Sequence, residues 1–216
     1  LSDIDLHILP GQTVGIIGGT GSAKSSLIQL IPRLYDISEG QLLIDGEPVN
    51  AYPLTELREA VGVVLQKNTL FSGTIAENLR WGNQNASLED LKAACRDAAA
   101  EDFISSFPDG FETLLGPQGA GLSGGQKQRV CIARTLLKHP KILILDDSTS
   151  AVDVSTESRI QQNLREHYPD MTKLIIAQRI TSIMHADQIV ILDDGKINAV
   201  GTHEALLKEN RIYQEI

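Results

Sequence analysis

Glycines, hydroxyls and a single lysine are concentrated in one short stretch of this sequence, Gly18-Gly19-Thr20-Gly21-Ser22-Ala23-Lys24-Ser25-Ser26. The aliphatic run Thr13–Ile17 precedes it and a helical pattern follows. A strand, a glycine loop and a helix start in that order make a cradle for phosphate: successive N–H groups and the positive end of the helix dipole face an anion. Lys24 can reach β- and γ-phosphates, and the Ser25 hydroxyl can ligate Mg²⁺. The strict spacing, with glycine directly before the lysine, fails at Ala23. Alanine is tolerated there if the residue is already helical, since it then adds only a methyl; it clashes if phosphate passes directly over it. The plainer alternative is a Gly/Ser turn before a helix with a surface lysine.

A second stretch, Lys141-Ile142-Leu143-Ile144-Leu145-Asp146-Asp147, is an aliphatic run ending in two acids. Parallel sheets bind ligands beyond the carboxyl ends of their strands. Asp146 can therefore hold Mg²⁺ through a water, with Asp147 beside the γ-phosphate position. A solvated strand end with a helix cap further on accounts for the acids alone, but not for their pairing with a phosphate loop.

These groups need a scaffold, and the hydrophobic pattern supplies one. Strands are predicted at Thr13–Ile17, Gln41–Ile44, Val61–Leu65, Ile142–Leu145, Lys173–Ala177, Gln188–Leu192 and Lys196–Val200, mostly continuous Ile/Val/Leu runs suited to burial on both faces. Helices are predicted at Lys24–Leu34, Leu88–Ala98, Gly125–Lys138, Thr156–His167 and His203–Lys208. The alternation implies an α/β domain with a largely parallel sheet. From about Phe71 to Lys138 the pattern is helical with no convincing strand, which reads as an insertion. Phe107–Gly110 and Gly116–Gly119 punctuate it as turns.

The chain has 19 Lys+Arg against 28 Asp+Glu, a formal charge of −9, and no basic face to hold duplex nucleic acid. Its longest apolar runs are far below the roughly 20 residues of a membrane span. Cys95 and Cys131 have no metal spacing and are expected as small buried residues on helices. They fit a reducing, cytosolic compartment. His7, His139, His167, His185 and His203 likewise lack metal spacing and are expected at the surface. Trp81, Phe103 and Phe107 are expected to pack the insertion. Tyr35 and Tyr52 are expected to be packing or surface residues. The sequence begins at Leu1 without Met, as an excised piece of a longer protein would.

Leu122-Ser123-Gly124-Gly125-Gln126, followed by Lys127-Gln128-Arg129, resembles the signature of ATP-binding cassette (ABC) proteins. Gln66 in Val64-Leu65-Gln66 resembles the family's lid glutamine, and Ser150-Ala151-Val152-Asp153 the loop that meets a partner subunit. Gln178 in Ala177-Gln178-Arg179 stands where the switch histidine normally sits. The segments Thr69–Leu79 and Phe107–Thr113 resemble the exporter branch, and the likeness covers essentially the whole chain.

The resemblance implies a P-loop NTPase (RecA-like) α/β fold with a mostly parallel sheet. The core spans about 1–68 and 139–216, a helical subdomain about 69–138, and the N-terminal antiparallel part is cut. It implies ATP and Mg²⁺ as ligands, bound by Gly18 to Ser26 and, on a second such domain paired head to tail, by Ser123, Gly124, Gly125 and Gln126. Ser25, Asp146 and Gln66 would hold the metal, while Asp147, Gln178 and Gln66 would serve hydrolysis. A transmembrane domain on the same polypeptide would place this domain at the cytoplasmic face of the cell membrane.

Four departures qualify that picture. Asp147 replaces the usual glutamate base and is one methylene shorter, while a base must come within about 2.6–3.2 Å of its water, directly or through one water. Gln178 can donate a hydrogen bond but carries no proton or charge. Together they imply the degenerate half of a heterodimeric exporter, its own site slow and its intact signature completing the partner's site. Pro117 stands where exporters often carry a glutamate, removing a charge and an N–H from a contact with the membrane domains. No aromatic for stacking on adenine precedes the loop, so weak nucleotide binding by the isolated chain is expected. A nucleotide-gated module without turnover, and a soluble ABC ATPase, are the competing functions.

Overall fold

A computed structural model describes residues 1–67 and 69–216. In chain order the elements are β1 (Thr13–Ile17), α1 (Lys24–Leu30), β2 (Leu43–Ile44), β3 (Glu47–Pro48), α2 (Leu54–Ala60) and β4 (Val61–Val64). There follow β5 (Gly73–Thr74), α3 (Ile75–Arg80), α4 (Leu88–Asp97), α5 (Glu101–Ser105), β6 (Leu114–Leu115) and α6 (Gly124–Leu136). The chain ends with β7 (Ile142–Asp146), α7 (Val154–His167), β8 (Thr172–Ile176), β9 (Gln188–Asp193), β10 (Lys196–Gly201), α8 (His203–Glu209) and α9 (Arg211–Glu215). Two compact units result: residues 1–62, 141–146 and 170–216 form one, and 63–140 and 147–169 the other.

The first unit is built on a sheet ordered β10-β9-β1-β8-β7, with β4 next beyond β7. β1 runs parallel to both β8 and β9, and β7 parallel to β8. All five residues of β1 are buried, as are the last four of β7 and of β8. Their aliphatic runs belong in a sheet covered on both faces. β10 runs antiparallel to β9, and its residues alternate between exposed and half-buried, as an edge strand should. The mixed α/β class with a mostly parallel central sheet is the one the sequence implies.

Several predicted elements change. α1 stops at Leu30 rather than Leu34, with Ile31 as a C-cap that keeps helical dihedrals, because Pro32 has no N–H to continue the helical ladder. Arg33 turns left-handed and the Leu34 N–H reaches back to the Gln29 carbonyl, closing the helix. The strand at Gln41–Ile44 shrinks to a two-residue ladder with Glu47–Pro48. Asp45 and Gly46, both at positive φ, form its tight Asp-Gly turn.

The second unit is mainly helical. The insertion does contain one strand pair, β5 against β6. Three of its helices start on reciprocal capping boxes: Thr74 with Glu77 for α3, Ser87 with Asp90 for α4, and Ser123 with Gln126 for α6. Phe103 and Phe107 pack edge to face at 6.0 Å, with the Arg129 guanidinium 4.7 Å above the Phe103 ring. Trp81 does not pack the interior as expected. It is 68% exposed and stacks on Phe71, itself 47% exposed. Cys95 and Cys131 are buried on α4 and α6. Four histidines are exposed and His203 is half-buried, its Nδ1 2.8 Å from the Tyr213 hydroxyl. His185 lies in a turn. Among the described residues no helix is long and apolar enough to cross a membrane.

Candidate functional site

Parallel pairing brings the ends of three strands of the first unit to one sheet edge. Ile16 of β1 and Asp146 of β7 both lie opposite Ile176 of β8. The glycine loop leaves β1, Asp146 closes β7, and Gln178 follows β8 as an exposed residue at that same edge. The Ser25 hydroxyl donates to Asp146 Oδ1 at 3.3 Å. Asp146 is 7% exposed. Burial pushes its carboxyl above the usual range, while Ser25 and the Lys24 charge pull it down.

Each part of the loop has its own reason for its residue type. A Cβ on Gly18 would sit 2.0 Å from the Leu192 carbonyl oxygen, so only glycine fits between β1 and β9. A Cβ on Gly19 or Gly21 would meet nothing within 4 Å. These two glycines leave open space over the backbone, and Gly21 is also at φ 82°. Ser22 is buried, while Thr20 and Ser26 are exposed. The Lys24 ammonium donates to the carbonyls of Gly18 (2.7 Å) and Gly19 (2.8 Å) and to Ser22 Oγ (3.1 Å). The lysine is thus folded onto its own loop.

Ala23 corrects the expectation of a helical residue. It is the N-cap of α1, with φ 67° and ψ 24° and no side-chain cap. An L-residue with a Cβ is strained in that left-handed region, whereas glycine is not. The methyl is tolerated here by backbone strain rather than by helical geometry.

The second unit carries the remaining groups. Asp147 follows β7 at φ 47° and is 8% exposed. The Gln66 amide donates to Asp147 Oδ2 at 2.9 Å, so the two side chains are in direct contact. The signature opens α6. Ser123 Oγ accepts from the Gln126 N–H (3.3 Å), and Gln126 Oε1 accepts from the Ser123 N–H (2.9 Å). The Gln126 side chain is therefore a helix cap. Ser123 and Gly124 are exposed and Gly125 is half-buried. With the Gln126 N–H taken up by the cap, the Gly124 and Gly125 N–H groups of this first turn have no intrahelical acceptors, which suits an anion.

The residues fit the group that the resemblance implies. The open glycine cradle suits a polyphosphate, and the hard oxygens of Ser25 and Asp146 suit a cation such as Mg²⁺. Residues that sequence reasoning passed over lie behind the signature. Gln128 is buried on α6, and the buried pair Thr149–Glu157 joins the loop after Asp147 to α7. The signal available for them was a polar residue at a core-facing helical position.

Residues 1–150 match the family profile described as ABC transporter. The chain belongs to the ABC transporter family. It is similar over its full length to the uncharacterized ABC transporter ATP-binding protein YfiB of Bacillus subtilis strain 168, with 46% identity across 37% of that protein. An ATP-dependent lipid A-core flippase of Chromobacterium violaceum is 44% identical across 37% of its length. Among solved structures, a bacterial Atm1-family ABC exporter with ATP bound superposes with a TM-score of 0.92 at 41% identity, covering 95% of this chain and 36% of that one. The chain thus spans little more than a third of the relatives it matches.

Proposed function

We propose that this chain is the ATP-binding domain of an ABC exporter, coupling ATP binding and hydrolysis to transport by membrane-spanning segments of the same polypeptide at the cytoplasmic face. The observation that carries this is the glycine cradle over β1, with Lys24 on the loop and Ser25 hydrogen-bonded to Asp146. Lys24 and the loop N–H groups would bind phosphate oxygens. Ser25 and Asp146, with Gln66, would hold Mg²⁺. When bound, Mg–ATP supplies a phosphoanhydride open to in-line attack by water and a metal that neutralises charge on its oxygens.

Asp147 would hold the proton of the attacking water, and Gln178 would donate to a phosphate oxygen. The Gln66–Asp147 hydrogen bond supports a slow site, because it engages the short carboxylate with an amide donor. Ser123, Gly124, Gly125 and Gln126 would complete the site of a second domain paired head to tail. We infer a heterodimer, in which the partner's site does most of the hydrolysis.

Equilibrium binding of Mg–ATP to the full-length protein tests the first reading. Lys24→Ala should lower affinity at least tenfold; unchanged affinity overturns it. The asymmetry is tested by turnover. Asp147→Glu should raise hydrolysis at this site, and loss of the partner's own base should abolish most of the total. If neither change alters turnover, the asymmetric reading is wrong.

A further inference from the structure

The signature and Asp147 lie on different elements of the second unit, and the side chain that joins them has no role in the reading above. Gln128, 5% exposed, lies one turn along α6 from Gly125. Its Oε1 accepts the Ala151 N–H at 3.2 Å. Gly125 faces the same residue: a Cβ there would lie 2.7 Å from the Ala151 carbonyl oxygen and 3.5 Å from its carbon. The first turns of α6 thus hold Ala151 by its N–H and leave no room for a side chain against its C=O.

Ala151 is the middle of a loop with little slack. The Ser150 N–H (3.3 Å) and hydroxyl (2.9 Å) both donate to the Asp147 carbonyl. The Val152 N–H donates to the Thr149 carbonyl at 2.9 Å. Thr149 Oγ1 donates to the buried Glu157 carboxylate at 2.5 Å, and Asp153 caps α7. Asp147 itself occupies the narrow left-handed region. Ala151 is thus tied through its neighbour Ser150 to the turn closed on the Asp147 carbonyl.

We propose that Gln128 is a positioning residue that ties the Ser123–Gln126 turn to Asp147, so that an anion held on the signature sets the orientation of this chain's own acid. Gln128 touches no ligand; it acts through Ala151. The proposal rests on the reading of Ser123–Gln126 as a nucleotide contact.

Hydrogen–deuterium exchange on the full-length protein tests it, without nucleotide and with a non-hydrolysable ATP analogue. In nucleotide-free protein, Gln128→Met, which keeps volume but removes the acceptor, should speed exchange across residues 148–153 by about five- to tenfold. Gln128→Glu, which keeps an acceptor oxygen, should restore protection. In the wild type the analogue should slow exchange at both 122–128 and 148–153. In the Gln128→Met protein it should slow only 122–128. Gly125→Ala, which pushes on the Ala151 carbonyl from the other side, should uncouple the two segments in the same way; it decides the matter if Gln128→Met fails to fold. Unchanged exchange at 148–153 in nucleotide-free Gln128→Met, or an equal response of both segments to the analogue in Gln128→Met or Gly125→Ala, overturns the proposal. If the wild type shows no response to the analogue, the nucleotide reading of the signature fails and the coupling fails with it, whereas the nucleotide-free comparison still decides whether Gln128 holds the loop.

Discussion

At position 23 a methyl group sits where the backbone favours none. Ala23→Gly removes the clash of a left-handed L-residue but loosens the unfolded chain. The first effect is the larger, so the variant should be more stable by about 1 kcal/mol, read as a higher urea midpoint. Gly18→Ala is the converse. Its Cβ would lie 2.0 Å from the Leu192 carbonyl, a rigid neighbour. It should cost about 1–3 kcal/mol and weaken nucleotide binding along with stability. The thiols behave differently again. Burial, reinforced by Glu101, pushes the Cys95 thiol up to about 12. Native protein at about pH 8 should then resist iodoacetamide at Cys95, since the thiolate is the nucleophile. Rapid labelling under those conditions would contradict the burial.

Side-chain caps mark where α3, α4, α6 and α7 begin, and their loss gives a measurable effect. Thr74→Ala removes one half of the α3 capping box and should lower stability by about 1 kcal/mol in urea unfolding. Asp153 at the start of α7 accepts from Ser155 and Thr156, which hold its carboxyl well below the usual range. A depressed carboxylate stabilises the fold above its unfolded value of 3.8 and loses that contribution as pH falls through the lower folded value. Asp153→Asn, which keeps a capping oxygen but not the charge, should flatten the acid limb of a far-UV circular dichroism titration. Elements of this kind also mark the boundary of what the sequence discloses. β1, β7, β8 and β9 were legible because uninterrupted aliphatic runs have one good destination, a sheet buried on both faces. The glycine loop after β1 and Asp146 at the end of β7 stood out from the residues themselves, and Leu122–Gln126 only through its resemblance to the family's signature. The short helices α2, α3, α5 and α9 were not, because five to seven residues seldom show a full amphipathic period. The left-handed turn at Ala23, the exposure of Trp81 and the Gln128–Ala151 contact depend on tertiary neighbours that no local pattern encodes.

Over the whole molecule, the formal charge of −9 and a pI near 5.0 set a field that repels other polyanions. The chain should show no retention of labelled duplex DNA in fluorescence polarisation at about 0.15 M salt. A local array of N–H groups can still bind a phosphate against that field, because it acts at contact range. The order of the sheet carries a further consequence, for the moment of synthesis. β1 is emplaced between β8 and β9: Thr13 pairs with Lys173, and Val14 with Gln188. A ribosome adding roughly 5–20 residues per second exposes Val14, Ile16 and Ile17 for several seconds or more before either neighbour exists. Until then the glycine loop has no sheet edge to stand on. The residues that come first for phosphate are among the last to be assembled, and a nascent chain halted before β8 should be chaperone-bound and blind to nucleotide.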